Sequence, residues 1–442
     1  MRFWIRQIRW LFLLISIFVF VERSLLPPGR FWDFPILYTS SRAWLLGLDP
    51  YALKSILPLW PPESVSYVLY TPDAFLAVAT PASLIALAPV AWMTPASAIV
   101  VWAVVTVLLT VAMIAGACWL AELHWKDGVA PWLVGWIMLL PPLQIGLLAG
   151  QPSAAAGPLL VLGALAAARN RQVAAGVCFA IASCFKLQLG LPFLLLYFFL
   201  GGRRWVAAYG LALLCALCGI VLFKLQLDHT AWLQSWIANL RACGEAGGMN
   251  DFGLQNPERF HMLNLQLLLA GFIRNRTIVS VLGVAIGLVL SIFLFLRIRE
   301  PRRSPPNALA PMGASSDSLD VLRCLATAAP LCLLPVYHRY YDAVVLIFTM
   351  TWVVREFAAA PRAQPLLAGL IICVCFLTPM SIAPRLADHV PPSAEVAVRL
   401  LIIPFRVWGL LALTLLLLLD PTPWHRRPAR SAHRENQMMA VP

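Results

Sequence analysis

The sequence predicts an all-α fold, a polytopic membrane protein with a bundle of about 11–13 transmembrane helices. Of its 442 residues, 61% are hydrophobic and only 12% are charged, which is about half the charged fraction of a soluble protein. Hydrophobic runs of roughly 17–25 residues recur along the whole chain, and each can cross a bilayer as a helix. Short segments of alternating polarity, which a membrane barrel would show, do not occur in the sequence.

Thirteen helices are predicted from these runs. The first run follows three arginines and is expected to stay in the protein, because the segment that follows it, Glu22 to Pro28, is a poor signal-peptidase site. The predicted ranges are 8–22, 74–93, 96–121, 130–148, 152–168, 173–185, 188–200, 205–223, 277–297, 319–336, 342–357, 364–383 and 396–419.

Arginine clusters predict the topology. Each cluster lies in a short segment beside a hydrophobic run, which is typical of cytoplasmic loops. The clusters are Arg2/Arg6/Arg9, Arg169/Arg171, Arg203/Arg204, Arg297/Arg299/Arg302/Arg303 and Arg426/Arg427/Arg430/Arg434. The net charge of +13 therefore reflects topology, and nucleic acid is not expected as a partner. Because both basic termini are expected on one side of the membrane, the number of crossings must be even, whereas thirteen helices are predicted. One crossing between residues 24 and 150 is therefore wrong or missing.

The chain is accordingly predicted to lie in the cytoplasmic (inner) membrane as one transmembrane domain, residues 1–420. Its larger extracytoplasmic loops are residues 24–70 and 224–262, and the second is expected to form a partly ordered lid. Residues 300–318 are expected to form a cytoplasmic linker. Residues 421–442 are basic and are predicted to form a disordered cytoplasmic tail.

A helix break is predicted at Lys186. The helices on either side, 173–185 and 188–200, are each too short to cross a bilayer at 1.5 Å per residue. The arginines that precede the first and follow the second both belong in the cytoplasm. Two short helices that meet at Lys186 on the opposite face satisfy both conditions, and such breaks are tolerated where they line a cavity.

Ionisable side chains at membrane depth are costly, so each is a functional candidate. Most of them are expected at the extracytoplasmic ends of helices, as a shared pocket would require. The candidates are Asp33, Arg42, Asp49, Lys54, Asp73, Lys186, His338, Arg339 and Asp342, with Gln144, Gln151 and Asn264 as polar neighbours.

Asp33 is the candidate proton acceptor. It lies between aromatic residues just after the first helix, and partial burial would raise its pKa and make it a better base. The alternative is a structural role as the N-cap of a short helix at 34–46. Gly47 and Asp49 are assigned structural roles, a left-handed helix end and a turn before Pro50.

Three further motifs could contact a substrate. Lys186 could hold a phosphate, or it could extend to the membrane surface. The run from Tyr337 to Asp342 combines an imidazole, a guanidinium, phenols and a carboxylate. The arginine in that run suits phosphate, although an aromatic belt at the membrane surface is the alternative. Gln151, in a turn between two helices, could reach a sugar hydroxyl.

Residues 224–262 lack metal-ligand spacing, so no metal is expected.

Taken in order, these motifs resemble glycosyltransferase family 87, a polyprenyl-phosphate-mannose-dependent mannosyltransferase-like group in the GT-C superfamily. The resemblance covers about residues 30–345. It rests on Asp33-Phe34 with Tyr38, Ala43, Gly47 and Pro50-Tyr51, on Tyr70-x-Pro72, on Gly150-Gln151, on Lys186 with Pro192, and on His338, Tyr340 and Tyr341. Two positions depart from the family pattern and concern acceptor recognition: Asp73, and Gln266 after Asn264.

The resemblance implies a GT-C-like bundle that transfers a single sugar, a mannose-like hexose or a pentose. The donor would be a polyprenyl-phosphate sugar in the lipid, and the acceptor a hydroxyl of a glycolipid or glycan. Asp33 would be the catalytic base, and no metal or other cofactor would be needed. The implied donor-phosphate ligands are Lys186, His338 and Arg339. The implied sugar and acceptor contacts are Tyr38, Arg42, Gln151, Tyr341 and Asp342.

Two alternatives stay open at this point. Broken helices around a central site are also typical of transporters and flippases, although no inverted repeat is visible in the sequence. A ligase or polymerase that moves a whole lipid-linked glycan would use the same outward-facing chemistry.

Overall fold

A computed structural model describes residues 2–27, 31–60, 76–200, 203–253, 256–299, 317–360, 362–379, 381–390, 394, 396 and 398–420. These residues are almost entirely helical, with one isolated β-bridge between Met262 and Arg339. The predicted all-α fold class is confirmed. The Tyr70–Asp73 motif, most of the 300–318 linker and the 421–442 tail lie outside the described residues, and the division into one domain and a tail stays a prediction.

Within the described residues, seventeen α-helices of eight residues or more are labelled in chain order. They are α1 Arg2–Leu25, α2 Phe34–Leu45, α3 Pro81–Ala91, α4 Pro95–Leu120, α5 Ala130–Met138, α6 Pro141–Ala149, α7 Ser153–Ala168, α8 Gln172–Phe185, α9 Leu187–Phe199, α10 Arg204–Leu227, α11 Trp232–Gly244, α12 Arg276–Arg299, α13 Asp317–Cys332, α14 Ile347–Ala359, α15 Ala363–Phe376, α16 Ile382–His389 and α17 Phe405–Leu418. Shorter helical turns are Leu53–Ile56, Leu57–Leu59, Trp125–Asp127, Pro257–His261, Leu265–Leu269, Tyr340–Leu346 and Val398–Ile402.

Three of the described helices, α4, α10 and α12, are long and apolar enough to cross a membrane. Helices α5 and α6 together form a fourth candidate, bent by 50°. The bend falls at Pro141-Pro142, where the missing N–H groups and the rigid rings end a helix; the sequence predicted one continuous helix there. Many of the other apolar helices have 10–17 residues. The chain is thus a multi-pass membrane protein with many short helices.

The predicted break at Lys186 is confirmed. The Lys186 backbone is extended, with φ −152° and ψ 93°, and α9 folds back along α8. The two helices approach so closely that a Cβ at Gly190 would overlap the backbone nitrogen of Ser183, which is why a glycine is needed at this position. The hairpin places Lys186 at the end of the bundle opposite Arg169 and Arg203.

Other predicted boundaries change in the structure. Within the segment 224–262, which was predicted to form a partly ordered lid, α10 continues to Leu227, and α11 and a 3₁₀ turn follow. The predicted helix 342–357 begins with the 3₁₀ turn Tyr340–Leu346, and the predicted helix 364–383 is interrupted after Phe376. The predicted glycine end of α2 is confirmed, because Gly47 has φ +74° and Leu48 N–H donates to the Ala43 carbonyl at 2.9 Å.

Helix α7 positions the parts of the site. Its buried face consists largely of alanine, glycine and leucine, and small residues allow helices to pack closely in a membrane. Gly163 contacts Phe179 of α8, and Gly157 contacts Val344 of the 3₁₀ turn. Gln151 lies just before its first turn. Helix α7 therefore connects the Lys186 hairpin, the Tyr340–Leu346 turn and the Gln151 turn in one packed unit.

Candidate functional site

A cavity of about 870 Å³ lies at the end of the bundle that carries Lys186. Its polar wall includes five of the nine predicted site residues, which are Asp33, Gln151, Lys186, Arg339 and Tyr341. These residues come from four separate parts of the chain, and their convergence gives one cavity a carboxylate, an amide, a phenol and two cations.

The Asp33 carboxylate faces the cavity and accepts a hydrogen bond from the Gln151 side-chain amide. Asp33 occupies the N-cap position of α2, but its side chain makes no capping hydrogen bond. The backbone holds it in place instead: Asp33 N–H donates to the Ala149 carbonyl at 3.1 Å, and Phe31 N–H donates to the Leu148 carbonyl at 2.8 Å. The end of α6 therefore fixes the carboxylate, which remains available to a ligand.

Gly150 makes this attachment possible. It has φ +70°, and a Cβ at this position would lie 2.7 Å from the Phe31 ring and 2.9 Å from Phe34 Cβ. Phe31 itself has φ +61°, an unfavourable conformation for an aromatic residue. The Trp102 indole N–H donates to the Gly150 carbonyl at 3.1 Å. The backbone is thus tightly determined on both sides of Asp33, and local strain of this kind often accompanies functional sites.

Opposing effects set the acidity of Asp33. Burial raises the pKa of the Asp33 carboxyl above its ordinary value, while the Gln151 hydrogen bond and the charges of Arg339 and Lys186 lower the pKa; the net direction is upward. A carboxylate with a raised pKa is a stronger proton acceptor.

Lys186 is held at the cavity wall by Asp342. The Lys186 Nζ lies 2.5 Å from Asp342 Oδ1 and 4.5 Å from the centroid of the Tyr341 ring. Its side chain is 12% exposed, so Lys186 does not extend to the membrane surface. Asp342 is also bonded by His338, whose Nδ1 lies 3.1 Å from Asp342 Oδ2, and by the Arg339 backbone N–H at 3.3 Å.

His338 and Asp342 lie behind the cavity wall. They are 0% and 1% exposed, and neither lines the cavity. Both side chains bond to the protein, and the contacts of His338 with phosphate and of Asp342 with sugar stay predictions. Their place in the structure is to hold Lys186.

Arg339 reaches the cavity from the loop after α13. Its Nε donates to the Tyr337 hydroxyl, and its Nη2 donates to the Met249 carbonyl at 3.3 Å. Its Nη1 lies 3.7 Å from Glu258 Oε2. The Glu258 carboxylate also pairs with His261 at 2.7 Å, and the His261 hydrogen bond lowers the pKa of Glu258. An ionised Glu258 thus orients the guanidinium.

Tyr38 and Arg42 do not line the cavity. The Tyr38 hydroxyl donates to the Met93 carbonyl at 2.8 Å, and Arg42 Nη1 donates to the Ala91 carbonyl at 3.0 Å. Both side chains attach α2 to the end of α3. The opposite face of α2, with Ile36, Leu37 and Ser40, lines the cavity instead, and sugar or acceptor contact by Tyr38 and Arg42 stays a prediction.

Helix α11, which was not predicted from the sequence, covers part of the cavity. Trp236, Leu240 and Cys243 line the wall. The Asn239 amide donates to the Tyr51 and Ala77 carbonyls, each at 2.9 Å. The signal was present, because Trp232, Trp236 and Leu240 recur at intervals of four and indicate an amphipathic helix.

Asp49 holds the other side of this cover. Its carboxylate accepts hydrogen bonds from the Tyr51 N–H at 2.9 Å and from the Ser235 hydroxyl at 2.7 Å. These bonds join the turn after α2 to α11. The structural role predicted for Asp49 is confirmed.

From the polar wall, the cavity continues into an apolar arm formed by α9, α12 and α13. The arm is lined by Leu191, Leu195, Phe199, Leu288, Leu294, Phe295, Ile298, Ala328 and Leu331. Leu195 and Leu288 are 40% and 57% exposed, so one side of the arm opens between α9 and α12. The site therefore combines the charged polar wall with the apolar arm.

The structure describes a membrane-embedded helical protein whose cavity joins a charged wall to an apolar arm. The sequence profile of glycosyltransferase family 87 matches residues 79–316, which is more than half of the 442-residue chain. The chain therefore belongs to glycosyltransferase family 87, and this membership implies transferase activity. No curated protein and no solved structure matches significantly. The matched range contains Gln151 and Lys186 but not Asp33 or Arg339.

Among the residues that the structure describes, no three His, Cys, Asp or Glu side chains are grouped as a metal site would require.

Proposed function

We propose that this protein transfers a single sugar, a mannose-like hexose or a pentose, from a polyprenyl-phosphate donor to a hydroxyl of a glycolipid or glycan acceptor. The reaction takes place on the extracytoplasmic face of the cytoplasmic membrane and inverts the anomeric centre. One observation carries the proposal: the cavity joins Asp33, Lys186 and Arg339 to an apolar arm. A lipid-linked sugar phosphate has the same sequence of parts, a polar sugar, an anion and an apolar tail.

The proposed reaction is one displacement. The acceptor hydroxyl oxygen attacks the anomeric carbon while Asp33 removes its proton. The bond between the anomeric carbon and the phosphate oxygen breaks, and polyprenyl phosphate leaves with the electron pair. Attack from the face opposite the leaving group inverts the centre. Lys186 and Arg339 stabilise the charge that grows on the phosphate, an effect that is usually the largest in catalysis.

The cations retain donors for this task. A lysine ammonium has three N–H donors, so Lys186 can keep its bond to Asp342 while it donates to a phosphate oxygen. A guanidinium has five, of which the bonds to Tyr337 and Met249 use two, while Nη1 also lies 3.7 Å from Glu258 Oε2. Asp342 offsets the Lys186 charge before the donor arrives, which limits the cost of a buried cation.

Glycosyltransferase membership implies a transferase rather than a transporter or flippase. A ligase or polymerase would differ from the proposed enzyme only in the size of the transferred group. The size of the product therefore distinguishes the two activities.

The test uses the purified full-length protein in lipid with radiolabelled polyprenyl-phosphate mannose or pentose and added glycolipid, with Asp33→Asn in parallel. Transfer of one sugar by the wild type, lost in a variant that unfolds at the same temperature, supports the proposal. Transfer of a whole glycan from a lipid-linked oligosaccharide would replace it with the ligase reading. Substantial turnover by Asp33→Asn would remove Asp33 as the base.

A further inference from the structure

We infer that Arg406, a buried arginine that does not line the cavity, is a positioning residue for Arg339. It joins the turn that follows Arg339 to the turn that carries Glu258, the carboxylate beside the Arg339 guanidinium. The inference rests on the proposed contact between Arg339 and the donor phosphate. It adds a residue that controls phosphate binding from behind the wall of the site.

Arg406 is the second residue of α17 and is only 2% exposed. Burial of a guanidinium within a membrane protein is costly, so such a residue usually has a specific role. The proposed reaction does not use Arg406. Its contacts therefore have to explain why a cation is kept at this position.

Most of the Arg406 donors hold the end of α15. Arg406 Nε donates to the Cys375 carbonyl at 3.2 Å. Its Nη2 donates to the carbonyls of Thr378 and Pro379 at 3.5 and 3.1 Å. The last carbonyls of a helix lack partners within the helix, and the helix dipole favours a cation beside them. The end of α15 thus offsets the cost of the buried charge and fixes the guanidinium plane.

The fixed guanidinium packs on Tyr340. Arg406 Cζ lies 4.4 Å from the centroid of the Tyr340 ring, within the range of a cation–π interaction. The Tyr340 hydroxyl donates to the Phe376 carbonyl at 2.9 Å, and the side chain is 1% exposed. Tyr340 directly follows Arg339 in the chain. Its immobilisation therefore fixes the backbone from which the Arg339 side chain extends.

One further bond from Arg406 reaches the segment that orients the Arg339 guanidinium. Arg406 Nη1 donates to the Phe260 carbonyl at 3.4 Å. Phe260 lies in the 3₁₀ turn Pro257–His261, which also carries Glu258, and Glu258 Oε2 lies 3.7 Å from Arg339 Nη1. Arg406 therefore contacts both the turn that begins after Arg339 and the turn that supplies its carboxylate partner.

The test compares Arg406→Gln with the wild-type full-length protein in nanodiscs, with farnesyl monophosphate as the probe. Thermal stabilisation by the probe reports binding, because a ligand that binds only the folded state raises the unfolding temperature. We expect affinity to fall about tenfold, the contribution of one charge-assisted hydrogen bond. The donor KM should rise by the same factor while the acceptor KM stays the same. Unchanged affinity in the folded variant would overturn the inference.

A double variant shows whether the effect passes through Arg339. Arg406→Gln added to Arg339→Ala should cause no further loss of affinity for farnesyl monophosphate, because the side chain that Arg406 positions is already absent. An equal loss with and without the Arg339 side chain would overturn the inference, since Arg406 would then act on the fold in general.

Arg355→Gln is the matched control. Arg355 is also a buried arginine, 8% exposed, and its Nη1 donates to the Leu120 carbonyl at the end of α4, at 3.5 Å. It does not line the cavity. Arg355→Gln should lower the unfolding temperature and leave probe affinity unchanged; a loss of affinity equal to that of Arg406→Gln would contradict the positioning role. If Arg406→Gln does not fold, Arg406→Lys serves in its place, because it keeps the charge but lacks the planar fork that reaches several carbonyls.

The same measurements separate this inference from the proposed function. Suppose that Arg406→Gln weakens probe binding only when Arg339 is present, while no polyprenyl-phosphate sugar supports transfer. The positioning role would then stand and the transferase reaction would be contradicted. Sugar transfer by Arg406→Gln with the donor KM of the wild type would leave the transferase in place and contradict the positioning role.

Discussion

Lys186 Nζ lies 2.5 Å from Asp342 Oδ1, so the cation at the helix break already has a carboxylate partner 156 residues further along the chain. The pair joins the α8–α9 hairpin to the turn that carries Arg339. Both cations of the cavity wall are therefore positioned through one carboxylate, since Asp342 also accepts the Arg339 backbone N–H.

Breaking this pair should destabilise the protein. Asp342→Asn leaves the Lys186 charge without its partner, and loss of one member of a buried pair costs about 3 kcal/mol. Lys186→Met combined with Asp342→Asn should recover a substantial part of that loss. Thermal or denaturant unfolding of both single variants and the double variant in detergent measures the coupling. Additive losses would show that the two side chains do not depend on each other.

Lys186→Ala should weaken donor binding more than acceptor binding. The cation is proposed to contact the leaving phosphate, which belongs to the donor alone, so the donor KM should rise while the acceptor KM changes little. Lys224→Ala is the matched control, because Lys224 pairs with Asp228 at 2.7 Å outside the cavity wall. Equal changes in both KM values would assign Lys186 a structural role only.

Asp33→Asn should reduce kcat by at least about 100-fold, the usual lower limit for loss of a general base. The fold should persist, because the backbone bonds to Leu148 and Ala149 do not involve the side chain. Initial rates and unfolding temperatures are compared with those of Asp228→Asn, a carboxylate away from the cavity wall. A similar fall in both variants would mean that loss of charge, rather than loss of the base, reduces the rate.

The pH dependence of the reaction should carry the signature of Asp33. A base acts when deprotonated, so the rate falls as pH drops through its pKa. Burial raises the pKa of Asp33, whereas the Gln151 hydrogen bond lowers it. Gln151→Leu removes the lowering contribution, so the acidic limb of kcat/KM should move to higher pH. A limb that stays in place or moves to lower pH would show that another group controls it.

Local chemistry explains which parts of the site could be predicted from the sequence. The Lys186 break was predictable because a single charge divides two runs that are individually too short to cross a bilayer. The end of α2 at Gly47 was predictable because a left-handed helix end favours glycine. The break at Pro141 was missed, although proline has a known effect, because the flanking residues are uniformly apolar.

Long-range packing explains what the sequence did not predict. Tyr38 and Arg42 lie on the same helix as Leu37 and Ser40, but at 3.6 residues per turn they face another direction, and no local feature indicates which face meets the cavity. The pairing of Asp342 with Lys186 has the same origin. Asp342, which was predicted to contact sugar, forms an ion pair with Lys186, which was predicted to contact phosphate.

Gly150→Ala should damage the site through backbone geometry alone. A methyl group at this position would lie 2.7 Å from the Phe31 ring, and alanine disfavours φ +70°. The variant should lose about 1–3 kcal/mol of stability, and activity should fall further because the shifted backbone carries Asp33.

Gly219→Ala is the control, since nothing lies within 4 Å of the added methyl group and alanine favours a helix; it should keep full activity and equal or greater stability. Unfolding temperature and initial rate measured on both variants decide the matter. Full activity in Gly150→Ala would mean that the position of Asp33 does not depend on this turn.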